Sequence, residues 1–525
     1  MKNLMMGAAA LALIAGCGGT GGDTPSTSDA DLSKLTVRDG DPAKAADALA
    51  AMSLTDSGSG ILFFADKSVD GDDATFTNLT IGGSDEMKIG SLAFEGLNVE
   101  GDTATFGKMV FSDIEIAPPG EEGTVKVGDI SLVNPSPELS GWLAATLSGQ
   151  QRPFPAVETL EFGSASISDI TGAFDDADAA GTFGLGKFEI RDMTDLKAAR
   201  FLMKGLTFDA EDATEGMSFT GKIDEMSMVN VDAKYLKAIE DNIGDEEEMV
   251  AAVMALAYEN PMEPGYDSFA MEGLDLNLAG AKVAMDSLST FVERNANGDP
   301  VKYVTPKFTM KIDADPDGGE GGVGLLQGLS VLGYENLVIN GEGVADYNPD
   351  SDVVSYTASK NYFEVEDGAR FSFGGELGGF AEYSKLAGES FNFEDLANGA
   401  EPDPDAMTEA FSALTIFDLS MEIKDDGLVN RSINAAATMN GQDPDALRSQ
   451  ISMGLGMAPM MAQGSGVDMA LVTEVTGALS KFIADPGTLT ISMKPGTPLN
   501  LGTAMANPDP ASFTKDSLGI TASAK

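Results

Sequence analysis

The chain has 525 residues, 43% of them apolar, and 84 acidic against 32 basic side chains give it a formal net charge of −52. An apolar fraction of this size can bury cores, so the sequence predicts folded domains. The negative field repels nucleic-acid phosphates and argues against binding of DNA or RNA. Histidine is absent and cysteine occurs once, which excludes a histidine-dependent catalytic triad, histidine-ligated zinc and a disulfide within the chain.

Residues 1–16 have the layout of a secretory signal peptide, with a basic start, an apolar run and small residues at the end. The sequence Ile14-Ala15-Gly16-Cys17 resembles the lipobox of bacterial lipoproteins, although leucine is commoner where Ile14 stands. The resemblance implies cleavage between Gly16 and Cys17 and lipidation of Cys17. An ordinary signal peptide with a chance cysteine and a short transmembrane anchor are the alternatives.

A lipidated Cys17 would make the membrane a partner of the mature chain, because two or three acyl chains hold a protein on a bilayer permanently. Gly18 follows the cysteine, where an aspartate tends to retain lipoproteins of enteric bacteria in the inner membrane. The resemblance therefore implies a lipid-anchored protein of the outer membrane, with either face possible. Residues 17–33 are rich in Gly, Thr, Ser, Pro and Asp, which predicts a flexible tether.

The body begins with a short helix predicted over 42–54, with Asp41 as N-cap and Pro42 as its first residue. A phrase of the form apolar, Gly, polar, apolar, any residue, apolar then returns along the chain. Residues two apart share one face of a strand, so Leu92 and Phe94 are predicted to point to the same side. The copies of the phrase are Ile89–Leu97, Phe106–Ile114, Val127–Leu132, Phe162–Ile170, Leu185–Met193 and, with Asp224 in place of the glycine, Ile223–Val231.

Several such strands side by side would form one continuous apolar surface. We favour a core closed by helices and a second layer of sheet; the alternative is an open groove that holds acyl chains. The alternating strands of residues 80–230 resemble those of the AsmA-like and TamB-like periplasmic proteins, whose long curved sheets are thought to carry lipid between membranes. That resemblance implies the groove. Those families are usually held by a transmembrane helix, and the lipobox departs from their pattern.

Helices are predicted at 231–239 and 245–258, and strands from near Phe269 to Phe380. A hairpin is predicted around Asp367-Gly368, between strands at 362–366 and 369–373. Residues 313–318 open like a calcium-binding loop, but Gly324 stands where an EF-hand needs a glutamate. The glycines between 318 and 322 therefore predict a flexible loop and not an EF-hand, and weak surface binding of divalent ions is the alternative.

From about residue 401 the pattern predicts an α+β module. A strand at 417–423 is followed by helices at 429–439, from Asp443 and Pro444 onward, and at 467–484, and by a strand at 489–493. The methionines of this module are predicted to pack within a helical core, and an adaptable apolar binding surface is the alternative. They are Met453, Met457, Met460, Met461 and Met469.

The sequence thus predicts a predominantly β, α+β fold, in which repeated short amphipathic strands form an extended curved or meandering sheet. Its predicted segments are a signal peptide (1–16), a tether (17–33), a β-repeat region (34–230), a helical insertion with strands (231–300), a β-meander (301–400) and the α+β module (401–525). We expect a non-enzymatic envelope protein, without a cofactor, that binds an apolar ligand or a protein partner or serves a structural role. A surface adhesin or assembly factor and a carboxylate-dependent hydrolase are the alternatives.

Overall fold

The computed structural model describes residues 35–82, 87–117, 124–175, 179–212, 217–234, 237, 262–278, 280–316, 319–390, 404–463, 468–506 and 513–525. About 50% of the chain is strand and 27% is helix, which confirms the predominantly β, α+β class. Among these residues no helix combines the length and the apolarity that crossing a bilayer requires. The signal peptide, Gly16, Cys17 and the tether, and the predicted helix at 245–258, lie outside the described residues.

Contacts divide the described residues into two compact units. The N-terminal unit takes residues 35–237 and 265–278, and the C-terminal unit takes residues 262–264 and 280–525.

The N-terminal unit is built on an antiparallel meander. Its helices and strands are α1 (Ala45–Ala51), β1 (Leu62–Phe63), β2 (Asp66–Asp70), β3 (Asp73–Ile81), β4 (Met87–Glu95), β5 (Asn98–Glu100), β6 (Thr103–Thr105), β7 (Lys108–Ile116), β8 (Val125–Val133), α2 (Pro137–Leu147), β9 (Phe162–Asp175), β10 (Ala179–Thr194), β11 (Lys197–Asp212), β12 (Met217–Asp232) and β13 (Ser268–Leu278). Strands β3, β4 and β7 to β13 pair in that order, each antiparallel to the next. Strands β1 and β2 pair along the other side of β3, and β5 and β6 form a separate hairpin.

Every predicted copy of the strand phrase lies at one of these strands, namely β4, β7, β8, β9, β10 and β12. The prediction of a helix from residue 231 is wrong at its start. Strand β12 continues to Asp232, because Val231 still pairs with Ala198 and Asp232 with Lys197 of β11.

The first predicted helix forms, but it begins at Ala45 and not at Pro42. The side chain of Asp41 accepts a hydrogen bond from the Ala43 amide at 3.0 Å, and its carbonyl accepts one from Lys44 at 2.8 Å. Asp41 therefore closes a turn ahead of the helix and does not cap the helix itself.

The C-terminal unit also has an antiparallel sheet, with most of its helices towards the end of the chain. Its elements are β14 (Ala281–Arg294), β15 (Pro300–Ala314), α3 (Gly319–Leu332), β16 (Asn336–Asn348), β17 (Val353–Tyr356), β18 (Tyr362–Val365), β19 (Ala369–Gly378), α4 (Phe380–Ser390), α5 (Pro404–Ala413), β20 (Thr415–Asp425), α6 (Leu428–Asn440), α7 (Pro444–Met461), α8 (Met469–Ala484), β21 (Thr488–Met493), β22 (Leu499–Asn500), α9 (Leu501–Ala506), α10 (Lys515–Leu518) and β23 (Ile520–Ala524). Strands β14, β15 and β16 pair in order, β17 and β18 lie between β16 and β19, and β20 follows. Strands β21 and β22 pair with β20, and β23 pairs with β21.

Two predictions for this unit are wrong in the same place. Strands do not run unbroken from Phe269 to Phe380, and the glycines from residue 319 do not form a loop, because α3 occupies residues 319–332. The apolar residues that follow those glycines have helical spacing, which outweighs the low helix propensity of glycine. Gly322 sits so close to the Asp315 carbonyl that a side chain would collide with it.

The hairpin and the C-terminal helices follow their local signals. Asp367 adopts φ 54° in the turn between β18 and β19, which confirms the predicted hairpin. Helix α6 ends at Gly441 in the left-handed region, and the Asp443 side chain caps α7 by accepting from two backbone amides. Helix α8 begins at Met469, two residues later than predicted, with Asp468 as its N-cap.

Candidate apolar binding surface

The strand phrase has a further position, six residues after its glycine, which the sequence analysis missed. The residue there lies in the left-handed region in every copy, with φ 55° at Asp113 and 54° at Asp169. The same spacing extends the phrase to nine consecutive strands of the meander. The left-handed residues are Asn78, Gly96, Asp113, Asn134, Asp169, Asp192, Gly205, Asn230 and Gly273.

Antiparallel pairing places the left-handed residue of one strand opposite the glycine position of the phrase in the neighbouring strand. Gly90 thus faces Asp113, and Gly128 faces Asp169. A Cβ atom on Gly90 would lie 2.7 Å from the Cβ of Asp113, and one on Gly128 would lie 2.8 Å from the Cβ of Asp169. Real Cβ atoms do not approach so closely, so glycine at these two positions is a steric requirement. Two such rows cross the sheet and fix its register.

Five residues separate the two rows in each strand, and the second and fourth of them are apolar. Cross-strand pairing aligns these residues into two apolar rows on one face of the sheet. The first row is Phe76, Leu92, Phe111, Ile130, Ile167, Phe188, Met203, Met226 and Met271. The second row is Ala74, Phe94, Met109, Leu132, Ala165, Ile190, Phe201, Met228 and Phe269.

At β3, β4 and β7 these rows form a closed core. Phe76, Leu92 and Phe94 are fully buried, and the Phe94 ring packs edge to face on Phe106 at 5.4 Å. Helix α1, the β5–β6 hairpin and α2 contribute the other side of this cluster. The core closed by helices that the sequence predicted is therefore present at this end of the sheet, which we call the covered end.

From β8 to β12 the same positions are not buried. The ten side chains there, which we call the open strip, are all at least partly exposed, and Ile130 reaches 36%. Leu132 and Ile167 pack against the edge of the covered-end cluster, and Ile190 and Phe201 pack beside a small cluster around Val157. Within the described residues Phe188 joins no buried cluster. The open strip consists of Ile130, Leu132, Ala165, Ile167, Phe188, Ile190, Phe201, Met203, Met226 and Met228.

The left-handed residues also reset the alternation of side chains along each strand. Ile167 and Ile170 are three residues apart, yet both pack against the same cluster, because Asp169 lies between them. Period-two alternation therefore does not continue across the row. Beyond it the rings of Phe183 and Phe208 cover Gly172 and Gly221 on neighbouring strands, a pairing that shields glycine backbone with an aromatic face.

The opposite face of the same strands is charged. Lys187 forms an ion pair with Glu189 at 3.0 Å. The Glu225 carboxylate forms ion pairs with Arg200 at 3.4 Å and with Lys204 at 2.9 Å. Arg200 is only 3% exposed, so its guanidinium is held within the protein by this pairing and not simply solvated. The two faces of β9 to β12 therefore differ in chemistry, and only the open strip suits an apolar molecule.

The methionines of the α+β module lie in α7 and α8 of the C-terminal unit. The prediction that they pack within a core is wrong. Helix α7 packs against α8 but has no buried residue. Met453 is 66%, Met460 65% and Met461 80% exposed. Met469, in α8, is partly buried. The apolar surface that was the alternative agrees with these exposures.

Of the residues that open like a calcium-binding loop, 317 and 318 lie outside the described residues, and the two described aspartates form ion pairs. Asp313 pairs with Lys311, and Asp315 pairs with Lys282, each at 2.8 Å. These two carboxylates neutralise neighbouring lysines on β15 and β14, and no group suited to hold a metal ion occurs among the described residues.

Comparison with known proteins adds one finding. A family model described as "Uncharacterized protein" matches residues 362–525, from β18 to the end of the chain. No curated protein matches the sequence, and no solved structure matches it.

Proposed function

We propose that this chain is a lipid-anchored envelope protein, held at the outer membrane through Cys17, whose N-terminal unit binds an apolar ligand on the open strip. The observation that carries the proposal is the change along a single sheet. The same two rows of apolar side chains that are buried at the covered end remain accessible from β8 to β12.

The dimensions suit an acyl chain. Five adjacent strands at the usual spacing span about 19 Å. One leaflet of a bilayer holds acyl chains of about 15 Å, half the thickness of its hydrocarbon core. A chain lying across β8 to β12 would therefore contact both apolar rows along its length.

The expected affinity is moderate. Fully burying one large apolar side chain contributes about 1.5–3 kcal/mol, and these side chains are already partly buried. If five of them each gain about 1 kcal/mol, the gross contribution is about 5 kcal/mol, before the cost of immobilising the ligand and the gain from burying the ligand's own surface. This favours reversible binding, as a carrier or sensor needs, over a permanently bound structural lipid.

Binding is tested with two matched variants and a fluorescent palmitate analogue. Ile130→Asp places a charge in the open strip, whereas Val69→Asp places one at an exposed aliphatic position on β2, outside it. We expect Ile130→Asp to weaken binding by about tenfold or more, since a buried unpaired charge is strongly unfavourable, and Val69→Asp to bind as the unaltered chain does. Equal binding by all three proteins would show that the strip is not the site.

The anchor is tested separately. Cys17→Ser removes the only thiol in the chain, and we expect the exported variant to be washed off the membrane fraction, because without acyl chains only reversible contacts hold it there. Retention of this variant after washing, to the same extent as the unaltered chain, would refute anchoring through Cys17 without affecting the ligand site. Mass spectrometry of the purified protein should report both acylation of Cys17 and any lipid that copurifies.

A further inference from the structure

Helix α7 carries an apolar face that no described residue of its own unit buries. Met453, Met457 and Met460 follow one another at spacings of four and three residues, and Met461 adjoins them, so they lie on one side of the helix. All four side chains are exposed. We call these four side chains the methionine face.

The methionine face is also free of charge, in a chain where charged residues make up 22%. After Arg448, which hydrogen-bonds to the Ile483 carbonyl and to Asn430, no charged residue occurs until Asp468. The 84 acidic residues elsewhere in the chain would repel an anionic surface. This segment is a place where the chain can approach an apolar surface without desolvating a carboxylate.

Two positions on the surface of α7 carry no side chain, because they are glycines. Gly454 and Gly456 have open space where a side chain would be, so packing within the unit does not require them. Glycine destabilises a helix interior relative to alanine, and neither residue has a compensating contact within the described part of the chain. Flexible methionine side chains between glycines give an adaptable surface and not a rigid interface.

A bilayer is the occupant that fits these observations best. A second copy would bring another charge of −52, and repulsion between two such chains opposes pairing through one helix each. A bilayer needs no matching shape and accepts an adaptable apolar face. We propose that α7 lies in the plane of a lipid bilayer, with the methionine face inserted below the headgroups.

This inference goes beyond the proposed ligand site and depends neither on the open strip nor on acylation of Cys17. The test uses the full chain with Cys17→Ser, so that one introduced cysteine is unique. Met457→Cys places an environment-sensitive fluorophore on the methionine face, and Val69→Cys places it on the exposed strand β2 as the control. Neutral phosphatidylcholine vesicles with nitroxide groups in their acyl chains are then added.

We expect the lipid nitroxide to quench the reporter at position 457 and to leave the reporter at position 69 unchanged. Adding Met453→Asp and Met461→Asp to the Met457→Cys protein should reduce quenching about tenfold, because two carboxylates would have to enter the bilayer. Adding Val331→Asp, on an exposed position of α3, should not reduce it.

Three results would overturn the proposal. One is equal quenching, or none, at positions 457 and 69 with lipid in the millimolar range. Another is quenching at 457 that survives the two aspartates. The third is a fluorescence change at 457 that rises with protein concentration in the absence of vesicles, which would identify a second copy as the occupant.

Discussion

The covered end and the open strip are two parts of one sheet with one repeating phrase, yet only the first is a core. In both parts, each strand has five residues between the two rows that contain the left-handed residues, and the second and fourth of these five are apolar. The covered end differs because α1, the β5–β6 hairpin and α2 pack over it. The phrase therefore determines strand register and the sidedness of the sheet, whereas elements outside the phrase determine whether the apolar face becomes interior.

The largest expected effect is a difference in how much the protein is destabilised when a phenylalanine is removed from each of the two regions. Phe94→Ala, at the covered end, should lower the free energy of unfolding by about 3–5 kcal/mol, because it leaves a cavity in a closed core. Phe188→Ala, in the open strip, should lower it by about 1 kcal/mol, because water can fill the space that the ring leaves. Urea denaturation of the full chain measures both, and equal losses would mean that the strip is as closed as the core.

A smaller effect tests the rows that the two regions share. Gly128→Ala should destabilise the N-terminal unit by about 1–3 kcal/mol, because its new Cβ would meet the Cβ of Asp169. Gly454→Ala, in open space on α7, is the control and should be neutral or stabilising by up to about 1 kcal/mol. If Gly128→Ala were as harmless as the control, the close approach across the row would not constrain the sheet.

The smallest expected effect is the pH dependence of a contact that, unlike the apolar regions, is held by a charged group. Glu474 of α8 accepts hydrogen bonds from the Lys515 ammonium at 3.1 Å and from the Ala522 amide of β23 at 3.3 Å, and these contacts lower the pKa of Glu474. A lowered pKa in the folded state means that the stabilisation is present at neutral pH and disappears as the pH falls below about 4.

Amide hydrogen exchange at Ala522 measures this contact. We expect protection to decrease on acidification in the unaltered chain and to be lower already at pH 7 in Glu474→Gln, once intrinsic exchange rates are corrected. Protection at β4 should decrease less than protection at Ala522 over the same acidification, because apolar packing holds that strand. A pH-independent Ala522 amide would show that the carboxylate contributes nothing to docking β23.

Local signals in the sequence predicted where the strands and helices lie, but they did not predict which side chains of those elements are buried. Alternation located the strands, and Gly441 and Asp443 located helix ends, because these signals act through nearest neighbours. The left-handed Asp113 and Asp169 were missed because they follow ordinary strand residues, although the recurring glycine six positions earlier was visible. The burial of Phe94 against the exposure of Phe188 could not be predicted, since it depends on which distant element covers each strand.

The exposed methionine face of α7 was misassigned for a related reason. Helical spacing of Met453, Met457 and Met460 predicts a common side but does not say what that side meets. Arg200 presents the converse case. Its charge predicts exposure, whereas pairing with Glu225 accompanies near-complete burial.

Photo-crosslinking with a diazirine-bearing palmitate analogue tests the central claim most directly, because the site of covalent attachment can be read by peptide mass spectrometry. Crosslinks should concentrate on strands β8 to β12, at Ile130, Phe188 and Met203, and should be absent from β3 and β4. Crosslinks spread evenly over the surface, or confined to regions outside the open strip, would contradict the account.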